Sequence, residues 1–347
     1  MPGESKLDIV TRGTEEVVTR EDLSDLLTHS GRPKAYIGYE PSGYVHIGNG
    51  AIVAEKIKDL VAAGFDFTFL LADWHAMINN KLGGDLGAIQ VCARYFEDAF
   101  RALGVPDSVR FALANDLVSP RDYWADVVRV SKSASVARIR RALTIMGRKE
   151  EDADLDASML IYPAMQVTDI HRLDLDLALG GMDQRHAHML YRDLSPRLGW
   201  KRVVALHTPL LVGLKGQGRM DAIEAKMSKS RPEGAILVHD PPEDIARKIG
   251  RAFCPPKETD GNFVTETARL VVLPRAPLRV ERPAKYGGDA VFENFPALAG
   301  AYRSEALHPK DLKTAVSKAL ADLLAPVRSY FERKPENLEA LRRVLGA

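Results

Sequence analysis

Three features of the sequence predict an α/β fold with a parallel sheet, followed by an α-helical C-terminal part. Residues 34–72 run strand, helix, strand within about 40 residues, the span of a βαβ crossover. A further apolar stretch, Leu175 to Leu179, leads into Gly180-Gly181 and another helical pattern. Beyond Pro241-Pro242 the chain turns helical again, with Leu312, Val316, Ala319, Leu320 and Leu323 on one face. At 347 residues the chain is long enough for about two domains, with cores that need neither disulfides nor a structural metal.

Taken in order, residues 1–30 read as an acidic helical lead-in, with Thr19-Arg20-Glu21-Asp22 as a helix start. Lys34 to Tyr39 is a short buried strand, and Glu40-Pro41-Ser42-Gly43-Tyr44 is turn chemistry. From Ile47 the apolar residues Val53, Ile57, Leu60 and Val61 recur at helical spacing, opposite Glu55, Lys56, Lys58 and Asp59. Gly64 suits the helix C-terminus, and Phe65 to Ala72 forms the second strand. Residues 86–104 and 121–147 read as helices. Near Gly213 to Gly218 the composition becomes glycine-rich and polar, the mark of a mobile loop. Pro309 stands near the start of the last long helix, where proline is preferred.

Composition narrows the function. Lys and Arg total 48 against 47 Asp and Glu, so any polyanion must be met by a local basic patch. The two cysteines, Cys92 and Cys254, lie far apart, which argues against a zinc cluster or a disulfide scaffold and suits a reducing compartment. No secretory signal is visible at Met1 to Lys6, and no apolar run is long enough to span a bilayer. A cytoplasmic protein without membrane or DNA partners is the expectation.

Two short motifs carry chemistry. His46-Ile47-Gly48-Asn49 stands where a strand passes into a helix, and unpaired amides at a helix N-terminus suit a polyphosphate. Gly48 lets a nucleotide approach the backbone, while His46 and Asn49 can donate to phosphate or ribose. Read alone, the same two residues serve equally well as a helix cap. Neither GxGxxG nor GxxxxGK[ST] occurs in this unit, which argues against a dinucleotide enzyme or a P-loop ATPase. Lys226-Met227-Ser228-Lys229-Ser230 is the second motif. Its lysines can close over a departing pyrophosphate, or simply keep a loop solvated.

In this order and about 180 residues apart, the pair resembles the HIGH and KMSKS signatures of class I aminoacyl-tRNA synthetases. Asn49 replaces the second His of the first signature but keeps a donor at similar reach. A third constellation follows: Ala35-Tyr36-Ile37-Gly38-Tyr39-Glu40-Pro41-Ser42-Gly43, then Ile161 to His171, then Gly180-Gly181-Met182-Asp183-Gln184. Together these resemble the tyrosyl-tRNA synthetases of archaea and eukaryotes over about residues 10–330. The insertion at Arg219–Ala225 and the tail past 330 lie outside that match.

The resemblance implies a class I Rossmann-like parallel sheet with a helical insertion at about 81–140, within a catalytic part over 31–215. A linker over 216–240 would hold the lysine motif, and an α-helical anticodon-binding part would span 241–347. Tyr36 and Asp169 would hold the substrate phenol, and Tyr162, Gln166 and Gln184 its α-amino group. Gly38, His46, Gly48, Asn49, Asp183 and Lys229 would bind ATP, with Asp183 on the ribose; His46, Asn49, Lys226 and Lys229 would serve catalysis. Spacing agrees, since Gln166 and Asp169 share a helix face. Without the resemblance, Tyr162, Gln166 and Asp169 would be a polar stripe on a partly buried helix.

On the RNA side, Lys132, Arg138, Arg140, Arg141 and Arg148 concentrate charge in one helical region, either to pair phosphates or as a solvated face. Tyr286 and Asp311, with His308 in the same tail, match positions that contact the anticodon in this family. ATP with Mg2+ as co-substrate, L-tyrosine, tRNA(Tyr) and a second copy of the chain are the implied partners; no protein-bound metal is expected. The alternatives are a tryptophanyl-tRNA synthetase, disfavoured because indole has no hydroxyl for Tyr36 and Asp169 to hold, and a synthetase-like tRNA binder without catalysis. Asp174 and Asp176 read as solvated turn residues, and His186 and His188 as a poor ligand pair. His75 is open between pocket and core.

Overall fold

The computed structural model describes residues 4–147, 155–215 and 234–346. The N-terminal segment gives α1 (Lys6–Thr11), β1 (Glu16–Val18) and α2 (Arg20–His29). Then come β2 (Lys34–Tyr39), α3 (Ala51–Ala62), β3 (Asp66–Leu71), α4 (Asp73–Ile78), α5 (Leu86–Ala102) and β4 (Arg110–Leu113). They are followed by α6 (Ala114–Val118), α7 (Arg121–Ser133), α8 (Val136–Ala142), α9 (Tyr162–Arg172), β5 (Leu177–Gly181), α10 (Arg185–Leu198) and β6 (Val204–Thr208).

The six strands lie in the order β1-β6-β5-β2-β3-β4, with β1 antiparallel to β6 and the other pairs parallel. The predicted βαβ unit is β2-α3-β3, and Gly64, at φ +100°, follows the last turn of α3 as expected. From β2 the chain steps outward through β3 and β4, then returns to the opposite side with β5 and β6. β2 and β5 therefore flank a topological switch point, where open α/β sheets bind ligands beyond the strand C-termini.

Three sequence expectations are refined. The lead-in contributes a strand as well as helices, because Glu16-Val17-Val18 finds an edge partner in β6; the sheet is parallel except for that edge. The helix expected over 121–147 is broken at Ala134-Ser135, where Ser135 leaves α7 and caps α8 by accepting from the Arg138 amide at 3.2 Å. The segment 81–140 is mostly helical but also carries β4, an edge strand of the main sheet, so it is not a purely helical insertion.

C-terminally, helix Pro309–Arg333 packs against helix Pro242–Arg251 and against a small hairpin, β7 (Leu278–Val280) with β8 (Ala290–Phe292), while helix Glu336–Leu345 packs on α5. The face of Pro309–Arg333 that buries Leu312, Val316 and Leu320 continues through Leu324, Val327 and Phe331. One hydrophobic cluster runs from α3 and α5 into these helices without a break. Asp98 on α5 adds a polar tie, accepting from the Tyr330 hydroxyl at 2.7 Å and the Asn337 amide at 2.6 Å. No helix among the described residues is long and apolar enough to cross a membrane.

Candidate active site

A pocket of about 330 Å³ opens at the switch point. It gathers Tyr36, Gly38, His46, Gly48, Asn49, Tyr162, Gln166, Asp169, Asp183 and Gln184, which are all the predicted tyrosine and ATP residues outside the lysine motif. Lys226 and Lys229 lie outside the described residues. The described flanks of that segment meet at the His46 turn: Leu211 packs against Gly48, and Ile236–Val238 hydrogen-bonds to Val45–Ile47.

The pocket floor is an acid between aromatic donors. Asp169 is buried on α9, and its Oδ1 accepts from the Tyr123 hydroxyl at 2.7 Å. Its Oδ2 lies 3.2 Å from His75 Nε2, an ion-pair separation. Burial disfavours the His75 imidazolium, but Asp169, then Glu40 and Asp73, outweigh that and hold His75 above the usual imidazole value. Tyr36 is buried on β2, where burial and then the Asp169 charge raise its hydroxyl far above the ordinary phenol range. It therefore stays protonated and able to donate. A carboxylate and a phenol donor facing one cavity match a ligand hydroxyl that both donates and accepts.

One wall carries a second carboxylate. Glu40, at the end of β2, accepts from the Tyr162 hydroxyl at 2.8 Å and from the Asn79 amide at 3.0 and 3.1 Å. Lys81 Nζ stands 3.7 Å away. Nearby, Gln166 Nε2 donates to Gln184 Oε1 at 3.2 Å, and Gln184 Nε2 donates to the Ile145 carbonyl. Gln166 Oε1 is buried with no hydrogen-bond partner among the described residues, an acceptor suited to a cationic donor. The close turn over this wall needs glycine: a Cβ on Gly181 would lie 2.5 Å from Asp183 Oδ1, and one on Gly180 2.8 Å from Gln184 Cβ.

The third wall is the His46 turn. The His46 amide donates to Asn49 Oδ1 at 2.9 Å, and the Asn49 amide donates to His46 Nδ1 at 3.3 Å. Capping therefore leaves part of both side chains available to a ligand. Asn49 spends its oxygen on the turn, while its Nδ2 is buried without a hydrogen-bond partner in the described protein, a donor at the pocket edge. With Nδ1 accepting, a neutral His46 carries its proton on Nε2.

The RNA candidates do not line this pocket. Arg138 forms an ion pair with Asp193, and Arg140 and Arg141 are exposed on α8; Arg148 lies outside the described residues. Tyr286 is 62% exposed, under Lys285 Nζ at 4.9 Å from its ring centre. Arg282 ties that turn to the Ala306 carbonyl, close to His308, which caps helix Pro309–Arg333 by accepting from the Lys310 amide at 3.1 Å. Asp311 sits in the first turn of that helix. Asp174 is a surface residue, paired with Lys34 and Lys201 at 2.8 Å each. Among the described residues no cluster of three or more His, Cys, Asp or Glu is arranged to hold a metal.

Three residues around the pocket escaped sequence reasoning: Glu40 and, left open there, His75, which line it, and Tyr123, which holds Asp169 from behind without lining it. Glu40 stood in a glycine- and proline-rich turn, and Tyr123 at a core position of an amphipathic helix, so neither carried a signal of its own.

Comparison with known proteins shows the family. The family described as tRNA synthetases class I (W and Y) matches residues 28–325, and the chain belongs to it. Within that class, the chain is 50% identical to a tyrosine–tRNA ligase of Aeropyrum pernix, across 99% of this chain and 97% of the relative. It is 49% identical to the tyrosine–tRNA ligase of Sulfurisphaera tokodaii, across 96% and 94%. Among solved structures, the tyrosyl-tRNA synthetase of Aeropyrum pernix superposes with a TM-score of 0.89 at 46% identity, covering 99% of this chain and 98% of that one. The Pyrococcus horikoshii enzyme complexed with L-tyrosine gives 0.91 at 37%, covering 97% and 98%.

Proposed function

We propose that this chain is an ATP-dependent tyrosine–tRNA ligase: it activates L-tyrosine as tyrosyl-adenylate and passes the acyl group to the terminal ribose of tRNA(Tyr). The observation that carries the reading is the buried Asp169 carboxylate beside the protonated Tyr36 at the floor of the switch-point pocket. That floor fits a phenol hydroxyl, which can donate to Asp169 and accept from Tyr36, whereas an indole N–H can only donate and leaves the Tyr36 hydroxyl unmatched, which favours tyrosine over tryptophan.

In this reading the substrate ammonium meets Tyr162, Gln166 Oε1 and Gln184, with Glu40 supplying the opposite charge. Asp183 takes the ATP ribose, and Gly38 and Gly48 leave room for the nucleotide. His46 and Asn49 donate to its phosphates at the N-terminus of α3. The tyrosine carboxylate attacks the α-phosphorus, the bond to the bridging oxygen breaks, and pyrophosphate leaves with the negative charge. Lys226 and Lys229 neutralise that charge as it builds. No side chain acts as a nucleophile; positioning and electrostatics carry the reaction. Mg2+ enters as the partner of the ATP phosphates.

For tRNA, Arg138, Arg140 and Arg141 would meet the acceptor end, and Tyr286, His308 and Asp311 the anticodon. The catalytic part over 31–215, the linker over 216–240 and the anticodon-binding part over 241–347 remain the proposed functional divisions. A homodimer through the region of α7 and α8 is consistent with the apolar Val128 and Val136, exposed there by 65% and 69%. The cytoplasm is the proposed compartment. Tyrosine-dependent ATP–pyrophosphate exchange tests the reading: exchange driven by tyrosine supports it, exchange driven by tryptophan alone or by no amino acid refutes it.

A further inference from the structure

β1 and β6 pair so that Glu16 and His207 are directly opposite, which puts their side chains together on one face of the sheet. Glu16 Oε2 lies 2.9 Å from His207 Nδ1. His207 Nε2 is 3.0 Å from His188 Nδ1 on α10, with both rings buried and stacked at 5.1 Å between centres. The other connection of Glu16 is to Arg185, whose Nε donates to both carboxylate oxygens at 3.0 and 2.8 Å.

Each end of this chain of contacts reaches the pocket. Arg185 follows Met182–Gln184 directly, the short turn that carries Asp183 and Gln184. His188 Cε1 would stand 3.0 Å from a Cβ on Gly180, directly behind the pocket wall. His207 precedes Thr208, a lining residue whose hydroxyl reaches the Gly180 carbonyl at 3.4 Å. The carboxylate sets the proton order: Glu16 stands at ion-pair distance from His207 Nδ1, though without hydrogen-bond geometry, so its charge favours the Nδ1–H tautomer, in which Nε2 accepts and His188 Nδ1–H donates. Burial, then His207, holds His188 well below the ordinary imidazole value, in keeping with a neutral pair.

We infer that Glu16, acting through Arg185 and the His207–His188 pair, is a positioning residue that sets the Asp183–Gln184 turn for the ATP ribose and the substrate ammonium. The inference rests on the tyrosine–tRNA ligase reading above. The N-terminal segment is then part of the active site's support, although none of its described residues lines the pocket.

The test is pyrophosphate exchange with Glu16→Ala, Glu16→Gln and His207→Gln, with melting temperatures measured in parallel. The expected result for Glu16→Ala is a KM for ATP raised about 10-fold, less than the roughly 100-fold that a full 1 Å misplacement can cost. Glu16→Gln, which keeps the side chain's shape and one acceptor, should recover part of that loss. The preference for tyrosine over phenylalanine should stay within about 2-fold of wild type, since the phenol floor is built by other elements. His207→Gln carries the test if Glu16→Ala fails to fold. Unchanged KM values in folded variants would overturn the inference, as would a discrimination loss matching the loss in ATP affinity. Wild-type protein without tyrosine-dependent exchange would instead sink the functional reading itself.

Discussion

Replacing Tyr36 with Phe and Asp169 with Asn, singly and together, probes the phenol site while leaving the packing intact. Tyr36→Phe removes one neutral hydroxyl from a buried position on β2. A neutral hydrogen bond contributes about 0.5–1.5 kcal/mol, so kcat/KM for tyrosine should fall by about 2- to 13-fold. Asp169→Asn keeps an oxygen for the Tyr123 hydroxyl but removes the charge that faces the pocket and His75. A hydrogen bond to a charged group contributes about 1.5–3 kcal/mol, which predicts a loss of about 13- to 160-fold. The double variant should lose less than the product, because both residues address one hydroxyl. Phenylalanine has no hydroxyl to lose, so its activation should hold or improve, and the ratio of the two amino acids should collapse. The assay is ATP–pyrophosphate exchange with each amino acid, alongside thermal melts. Equal falls for tyrosine and phenylalanine would refute the reasoning, since Asp169 would then be a structural acid holding Tyr123 and His75. An unchanged ratio would refute it as well.

Other expectations are equally concrete. Lys229→Ala should slow adenylate formation in single-turnover experiments while tyrosine affinity measured by equilibrium binding hardly changes; matched losses in both would remove the lysine loop from the chemistry. Asp311→Ala should weaken aminoacylation of tRNA and spare pyrophosphate exchange, and an equal fall in exchange would make this tail a structural support. His239 packs against Tyr44, Tyr95 and Phe331 and is pushed down to about 4 by burial, then by Arg342 and Lys248. The unfolded chain takes up this proton below about pH 6.5 and the folded one only near 4, so stability is full above 6.5 and falls across that window by up to about 3 kcal/mol. Urea unfolding from pH 7 to 4 should show a flatter profile for His239→Gln, and parallel profiles would exclude this histidine as the cause.

What the sequence made legible was local. The β2-α3-β3 crossover, the His46 turn and the shared helix face of Gln166 and Asp169 all follow from spacings of a few residues, and all are present. Relations between distant segments were not legible. Tyr123 is 46 residues from Asp169, and its place on the apolar stripe of α7 is explained equally well by core packing. Glu16-Val17-Val18 is too short to show alternation, and it becomes a strand only because β6 offers an open edge. The break before α8 did leave a trace, in Ser135 standing three residues ahead of the amide it caps, but the surrounding helical periodicity masked it.

The charges in the pocket also decide which way round an amino acid would lie in it. Asp169 and Glu40 both put negative charge on the pocket lining, with Lys81 at 3.7 Å from Glu40 as a partial counter-charge, so in the proposed reading the part that would receive the side chain and ammonium disfavours a carboxylate. The same pocket also holds donors: Asn49 Nδ2, the His46 ring and the N-terminal end of α3, where the helix dipole is positive. A zwitterion entering phenol first therefore turns its ammonium toward Glu40 and Gln166 Oε1, which leaves its carboxylate directed toward the wall where the ATP phosphates bind in the proposed reading. That orientation is the one the reaction requires, because the carboxylate oxygen is the attacking atom. Once substrate charge and pocket charge agree in this way, the remaining barrier is the charge that develops on pyrophosphate, which in the proposed reading Lys226 and Lys229 would meet without any covalent help from the protein.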